Sequence, residues 1–295
     1  MRALLFGPGG QLGRELLDRA PRHGLTITTV DRAMADLADA DAVAAAVEQA
    51  DVDIVINAAA YTAVDQAESE EALAHAVNAA APGAMARVCA ARGLPLIHVS
   101  TDYVFDGSGT AAWREDDPVG PVGAYGRSKL AGEQAIAATG ARALIVRTSW
   151  VFSPYGRNFV KTMLSLAARP ELRVVDDQYG RPTAAGDLAE ALLVASRRMV
   201  EAPDGPVRGL LHFAGEGVAT WREFAEAVFA LAGGAAPVIL PVPTREYPTP
   251  AKRPANSVLD CCRVETLLGI RPRAWRDGLA ETLSALAQRA GEPES

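Results

Sequence analysis

The chain reads as an α/β protein: a doubly wound parallel sheet followed by a smaller C-terminal region. Three observations predict this. The glycine turn Gly7-Pro8-Gly9-Gly10-Gln11-Leu12-Gly13 joins the first strand-like run to the first helix-like run. Near-continuous apolar runs then alternate with Ala-rich stretches, as strands buried on both faces by helices must. The 295 residues, 49% of them apolar, suffice for one large domain with a smaller companion.

The elements follow in order. Strands are expected at Ala3 to Phe6, Thr26 to Val30, Asp53 to Asn57, Leu96 to Ser100 and Ala143 to Arg147. Each is a short run of mostly apolar, often β-branched residues. Helices are expected between them at Leu12 to Ala20, Ala40 to Gln49, Glu70 to Arg92 and Ser128 to Ala138. That alternation is the Rossmann-type doubly wound class. From Trp150 the pattern loosens, and Leu240 to Pro254 holds five prolines without helical periodicity. Helices are still expected at Trp221 to Ala232 and Trp275 to Ala290, and Thr183 to Glu201 looks like a helix returning to the sheet. The expected division is residues 1–150 with about 183–213 as the dinucleotide-type domain, and 151–182 with 214–295 as a region supplying a substrate pocket. No internal repeat or low-complexity tract interrupts it.

Composition excludes several classes. A net charge of −7 and a pI near 5.2 argue against a nucleic-acid partner, which calls for a basic stripe. Cys89, Cys261 and Cys262 are too few and too badly spaced for a disulfide framework or a zinc site, and the four histidines are scattered. The three cysteines read as small apolar fillers in a reducing compartment. No apolar run reaches membrane-spanning length, so a soluble, cytoplasmic protein is expected.

The glycine turn carries the first chemistry. Gly7, Gly10 and Gly13 form Gly-x-x-Gly-x-x-Gly between a strand and a helix. Such a turn lets backbone approach a pyrophosphate, and the helix N-terminus offers it unpaired N–H groups. Gln11 and Leu12 lie in the same turn. Asp31, eighteen residues after Gly13, stands where a carboxylate can hold ribose hydroxyls, while the adjacent Arg32 could instead meet a 2′-phosphate. NADH and NADPH therefore both stay open. Asp36 and Leu37 could flank an adenine or simply precede a helix cap near Asp39. Asn57-Ala58-Ala59-Ala60 ends the third strand in small residues, which suits either close passage of a dinucleotide or tight packing.

The second constellation is Tyr125 and Lys129, four apart on a helix, with Thr101 twenty-four residues before Tyr125 at a strand end. Residues four apart share a helix face. A phenol releases its proton only near pH ~10, and a neighbouring cation favours the phenolate. Tyr-x-x-x-Lys alone is more often an ordinary amphipathic pair with the lysine in solvent. Together with the glycine turn it points to hydride transfer.

These motifs resemble the extended short-chain dehydrogenase/reductases that act on nucleotide sugars, and among them the dTDP-4-dehydrorhamnose reductase family. The resemblance covers essentially the whole chain. It rests on the segments at 6–13, 57–65, 100–107 and 125–133, and on 147–152, 177–183 and 253–260. It implies NAD(P)H-dependent reduction of the C4 ketone of dTDP-4-dehydro-β-L-rhamnose, with Thr101 on the substrate carbonyl, Tyr125 as proton donor and Lys129 on the nicotinamide ribose while tuning Tyr125. It further implies Ala60, Tyr61 and Thr62 along the dinucleotide, and Asp102 and Trp150 at the deoxyhexose; a tryptophan there could also be core. A dTDP-sugar needs positive charge, for which Lys161, Arg181 and Arg253 are the candidates, though each could be a plain surface charge. Some members carry Mg²⁺ at a homodimer contact through glutamates, and Glu15 matches one such position. Three rivals stand beside this reading. A same-fold dehydratase would need a second carboxylate where Tyr103 stands. A nucleotide-sugar epimerase would use the same Tyr and Lys. A regulatory subunit like that of S-adenosylmethionine synthetase would keep the fold without the chemistry.

Overall fold

Six parallel strands form the central sheet of this computed structural model, which describes residues 1–234 and 236–291. They are β1 (Arg2–Phe6), β2 (Thr26–Val30), β3 (Ile54–Asn57), β4 (Leu96–Thr101), β5 (Ala143–Thr148) and an edge strand, Gly209–His212. Their spatial order is edge strand, β5, β4, β3, β1, β2. The chain leaves β1 toward β2 on one side and returns through β3 on the other. The loops after β1 and β3 therefore diverge, and a crevice opens at that switch point, beyond the carboxyl ends of the strands.

Alternation along each strand feeds two apolar layers. Leu5, Ile54, Ile56 and Val146 face one side, where Leu16 of α1 (Gln11–Arg19) and Leu188 and Leu192 of the helix Ala185–Glu201 cover them. Leu4, Phe6, Val55 and Ile145 face the other side, packed with Val43, Met85 and Cys89. The helix Ala40–Gln49 begins where Asp39 accepts the N–H groups of Asp41 and Ala42. This is an N-cap that satisfies donors the helix itself leaves open.

Two elements differ from expectation in ways that matter for the site. The helix expected from Ser128 begins at Ala124 and runs to Ala137, so Tyr125 sits in its first turn. Its opening N–H, that of Ala124, donates to Glu68 at 2.8 Å, a carboxylate supplied from another element at the positive helix end. The stretch expected as one helix from Glu70 to Arg92 is helical from Glu71 but passes through a π turn at Ala76–Ala80.

Beyond Trp150 the structure is more regular than the sequence pattern promised. Glu171–Val175 and Val238–Val242 pair in parallel, and Pro241 is tolerated because its strand has a single partner and an open edge. The helix Trp221–Ala232 starts in a capping box between Thr220 and Glu223. Phe152, Val160, Phe224, Trp275 and Leu279 form a separate core beneath these pieces. Among the described residues no helix is long and apolar enough to cross a membrane.

Candidate active site

A cleft of about 730 Å³ opens over the carboxyl ends of β1, β3, β4 and β5. Gly7, Gly10, Gln11 and Leu12 form one wall. Gly7 has φ of 82°, and a Cβ there would lie 2.8 Å from the Ala59 backbone, so glycine is required on both counts. Gly10 caps α1 with no side-chain acceptor, which leaves the first N–H groups facing the cleft for an anion. Gly13 lies outside the lining. A Cβ there would overlap the Gly7 carbonyl, so its smallness serves turn-to-helix packing.

The third-strand segment divides in two. Ala60 and Thr62 line the cleft, whereas Tyr61 turns away and donates its hydroxyl to Glu70 at 2.8 Å. The four acidic-loop candidates also lie outside the lining. The Asp31 carboxylate accepts the N–H groups of Ala33 and Met34 at 2.9 and 3.0 Å, closing the turn after β2. Arg32 pairs with Asp36 at 3.1 Å, and Leu37 packs into the core layer with Val30. Asp31 still follows directly on Val30, which pairs with Phe6 beside the glycine turn.

Thr101, Tyr125 and Lys129 converge on the same cleft. The Thr101 hydroxyl donates to Asp102 Oδ1 at 2.9 Å and accepts the Tyr103 N–H at 3.2 Å. Burial pushes the Tyr125 phenol up to about 12; the Thr101 hydroxyl pulls it down and the Asp102 charge pushes it further up. The sequence expectation was a phenol drawn downward by its lysine neighbour. Here desolvation dominates the phenol, and the Lys129 nitrogen turns instead to β4, donating to the Val99 carbonyl at 2.7 Å with His98 Nε2 at 3.2 Å. Burial also brings Lys129 down to about 8, against an upward pull from Glu133. Both shifts penalise charge in a dry pocket.

Asp102 is buried beside Thr101, and burial raises its carboxyl to about 7, with hydrogen bonds from Ser257 and Thr101 opposing. Its Oδ2 has no protein partner. A carboxyl poised there can donate to or accept from a sugar hydroxyl. Tyr103 stands edge-on to Tyr125 with ring centroids 5.8 Å apart. The helix bearing Tyr125 and Lys129 is fixed by a buried ion pair: Glu133 takes two bonds from Arg147 of β5, at 2.9 and 2.6 Å, and one from Ser100 at 2.6 Å. Breaking one partner of such a pair costs roughly 3–5 kcal/mol.

Trp150 has φ of 47°, the one described non-glycine residue in the left-handed region. Its ring stacks on Trp221 with centroids 3.6 Å apart and planes 8° apart. A bulky residue in this region carries backbone strain that the surrounding structure must hold in place. Trp221 lines both this cleft and an adjoining pocket of about 240 Å³ that includes Phe159, Arg173, Gln178, Tyr247 and Arg253. Arg253 is held there by two bonds to Asp65, at 3.0 and 2.8 Å. The other two cation candidates are not in either lining. Lys161 Nζ reaches the Pro154 carbonyl at 3.5 Å, and Arg181 donates to the Leu259 carbonyl at 2.7 Å, tying two chain segments together.

Sequence reasoning missed Arg173, Tyr247, Trp221 and His98. Trp221 carried a signal, an aromatic directly after the capping threonine. The others needed the fold. For a divalent cation the fit fails: Glu15 is already paired with Arg19, whose guanidinium also lies 3.4 Å from Glu190 and 3.5 Å from Glu281. Among the described residues no cluster of three or more His, Cys, Asp or Glu is placed to hold a metal.

Comparison with known proteins agrees with this geometry. A family described as the RmlD substrate binding domain matches residues 1–288. A dTDP-4-dehydrorhamnose reductase of Sinorhizobium fredii is 44% identical over 290 residues, covering 97% of this chain and 98% of its own. A solved dTDP-4-dehydrorhamnose reductase from Clostridium acetobutylicum superposes with a TM-score of 0.90 at 36% identity, covering 97% of this chain and 100% of that one. The Bacillus anthracis enzyme, solved in complex with NADP, gives 0.89 at 33% identity over 96% of this chain and 99% of its own.

Proposed function

This chain belongs to the RmlD family of dTDP-4-dehydrorhamnose reductases, and on that premise we propose that it reduces the C4 ketone of dTDP-4-dehydro-β-L-rhamnose to dTDP-L-rhamnose. NADPH or NADH supplies the hydride when bound. The observation that carries the proposal is the meeting of Thr101, Tyr125 and Lys129 with the glycine turn in one cleft, beside a second pocket that Trp221 shares.

Each group has a task its environment supports. The open N–H groups of the first turn, at Gln11 and Leu12, receive the dinucleotide pyrophosphate. Thr101 and Tyr125 place two hydroxyls at the carbonyl oxygen, where negative charge grows during reduction. A phenol held near 12 is fully protonated at neutral pH and can complete the alcohol by giving up its proton. Lys129 then offsets the charge left on Tyr125. Asp102 and the Trp150–Trp221 stack face the sugar ring, and Arg253 with Arg173 face the dTDP phosphates. The pair Thr101-Asp102 is followed by Tyr103, which cannot serve as the second carboxylate an elimination needs.

The test is consumption of NADPH and of NADH with dTDP-4-dehydrorhamnose, with the product identified. One equivalent oxidised per dTDP-L-rhamnose formed is expected. Conversion of a sugar without net cofactor oxidation would favour an epimerase and end this proposal.

A further inference from the structure

Beneath Lys129 lies a row of buried groups that the proposed chemistry leaves unused. His98 and Asn57 are both fully buried, on neighbouring strands β4 and β3. Asn57 Nδ2 lies 3.0 Å from His98 Nδ1, and His98 Nε2 lies 3.2 Å from Lys129 Nζ. The orientation of the Asn57 amide is fixed independently, because its Oδ1 accepts the Ala59 N–H at 3.1 Å. The amide therefore presents N–H, not oxygen, to the ring.

Donor and acceptor counting then decides the proton. A neutral imidazole has one donor nitrogen and one acceptor nitrogen. With Asn57 donating to Nδ1, the ring proton sits on Nε2 and points at Lys129. An ammonium carries three donors and no acceptor, so it would meet that N–H donor to donor. A neutral amine accepts it, while still donating to the Val99 carbonyl at 2.7 Å. We propose that Asn57 locks His98 in its Nε2–H tautomer, and that His98 in turn biases Lys129 toward the neutral amine; His98 is thus a positioning residue acting through Lys129.

The surrounding charges are compatible with this. Burial, and after it the Lys129 charge, hold His98 well below its ordinary range, so the ring is neutral. On the lysine's own helix Glu133 pulls toward the ammonium, but its carboxylate is taken up by Arg147 of β5 and Ser100 of β4. Tyr125 stays protonated, and Asp102 after β4 is half-neutral near pH 7. Asn57 on β3 is uncharged. The consequence is an ammonium on Lys129 that gives up its proton far more readily than an ordinary lysine, so that the charge available beside Tyr125 depends on pH close to neutrality.

The kinetic consequence rests on the reductase reading; the tautomer does not, and the experiment separates them. Protein labelled with ¹⁵N-histidine has four imidazoles, and a His98→Gln variant assigns the signal. Long-range ¹⁵N–¹H spectra are expected to show His98 as Nε2–H. In Asn57→Asp the carboxylate can accept both the Ala59 N–H and Nδ1–H, which flips the tautomer and lets Nε2 accept from an ammonium. The limb of the kcat/KM profile that falls as Lys129 loses its proton, near 8 in the parent, should then move up by about one pH unit or more. The new carboxylate also raises Lys129 through its charge alone, so the uncharged His98→Leu, which removes the Nε2–H without adding charge, must move the limb up as well; a merely structural pair would leave it unmoved in His98→Leu. An Nδ1–H tautomer in the parent protein overturns the proposal, and so does an unmoved limb in Asn57→Asp. Absence of reductase activity with the Nε2–H tautomer present would refute the kinetic role and the reductase reading while leaving the lock intact.

Discussion

At and beneath the sheet side of the cleft, Asn57, His98, Thr101, Asp102 and Lys129 come from two adjacent strands, the turn after the second and one helix, and all are buried. On the other side, Phe159, Arg173, Trp221, Tyr247 and Arg253 come from separated segments, and Tyr247 is half exposed. Proton handling needs the first arrangement, since a dry site is what shifts a phenol, a lysine and a carboxyl so far from their ordinary values. The grip on a large anionic ligand proposed above would draw on the second arrangement. Arg253 and Arg173 are ion-paired with Asp65 and Glu246, at 2.8 and 3.3 Å, which holds them in place without burying bare charge.

This contrast can be broken most severely on the buried side. Tyr125→Phe should cut kcat by roughly 10²–10⁴-fold, the usual worth of a positioned acid, with cofactor affinity unchanged by fluorescence titration. Turnover near that of the parent would remove Tyr125 from the chemistry. On the open side, Arg253→Ala should raise KM for the dTDP-sugar roughly 10- to 100-fold, the worth of a charge-assisted bond, and leave kcat within a few-fold. A loss confined to kcat would mean the two halves are not separate in function. The smallest effect belongs to Lys161→Ala, which should leave KM within about twofold because its amine lies outside both linings. A large rise in KM there would return Lys161 to the phosphate site.

Legibility followed the same division. Strands β1, β3, β4 and β5 were visible because central parallel strands buried on both faces are largely apolar, and the edge strand β2 showed instead as a β-branched run; the strand ends carried the glycine turn, Thr101 and Asp102 in contiguous words. Tyr61 belongs to the same words yet turns away from the cleft, because a motif fixes backbone path more firmly than side-chain direction, and Gly13 serves the packing of the turn instead of the lining. The strand pair Glu171–Val175 with Val238–Val242 was hidden by Pro241 and by the long separation of its partners. Arginines 181 and 253 looked alike as candidates. The fold gave one a backbone carbonyl to hold and the other a pocket to face.

Local spacing by itself determined the sheet class, the dinucleotide turn and the helix face shared by a tyrosine and a lysine, since each depends on residues within a few positions. Tertiary structure alone decided how acidic or basic those groups are. Burial and the partners brought from β3, β4 and β5 set that balance, and neither is written in any one segment.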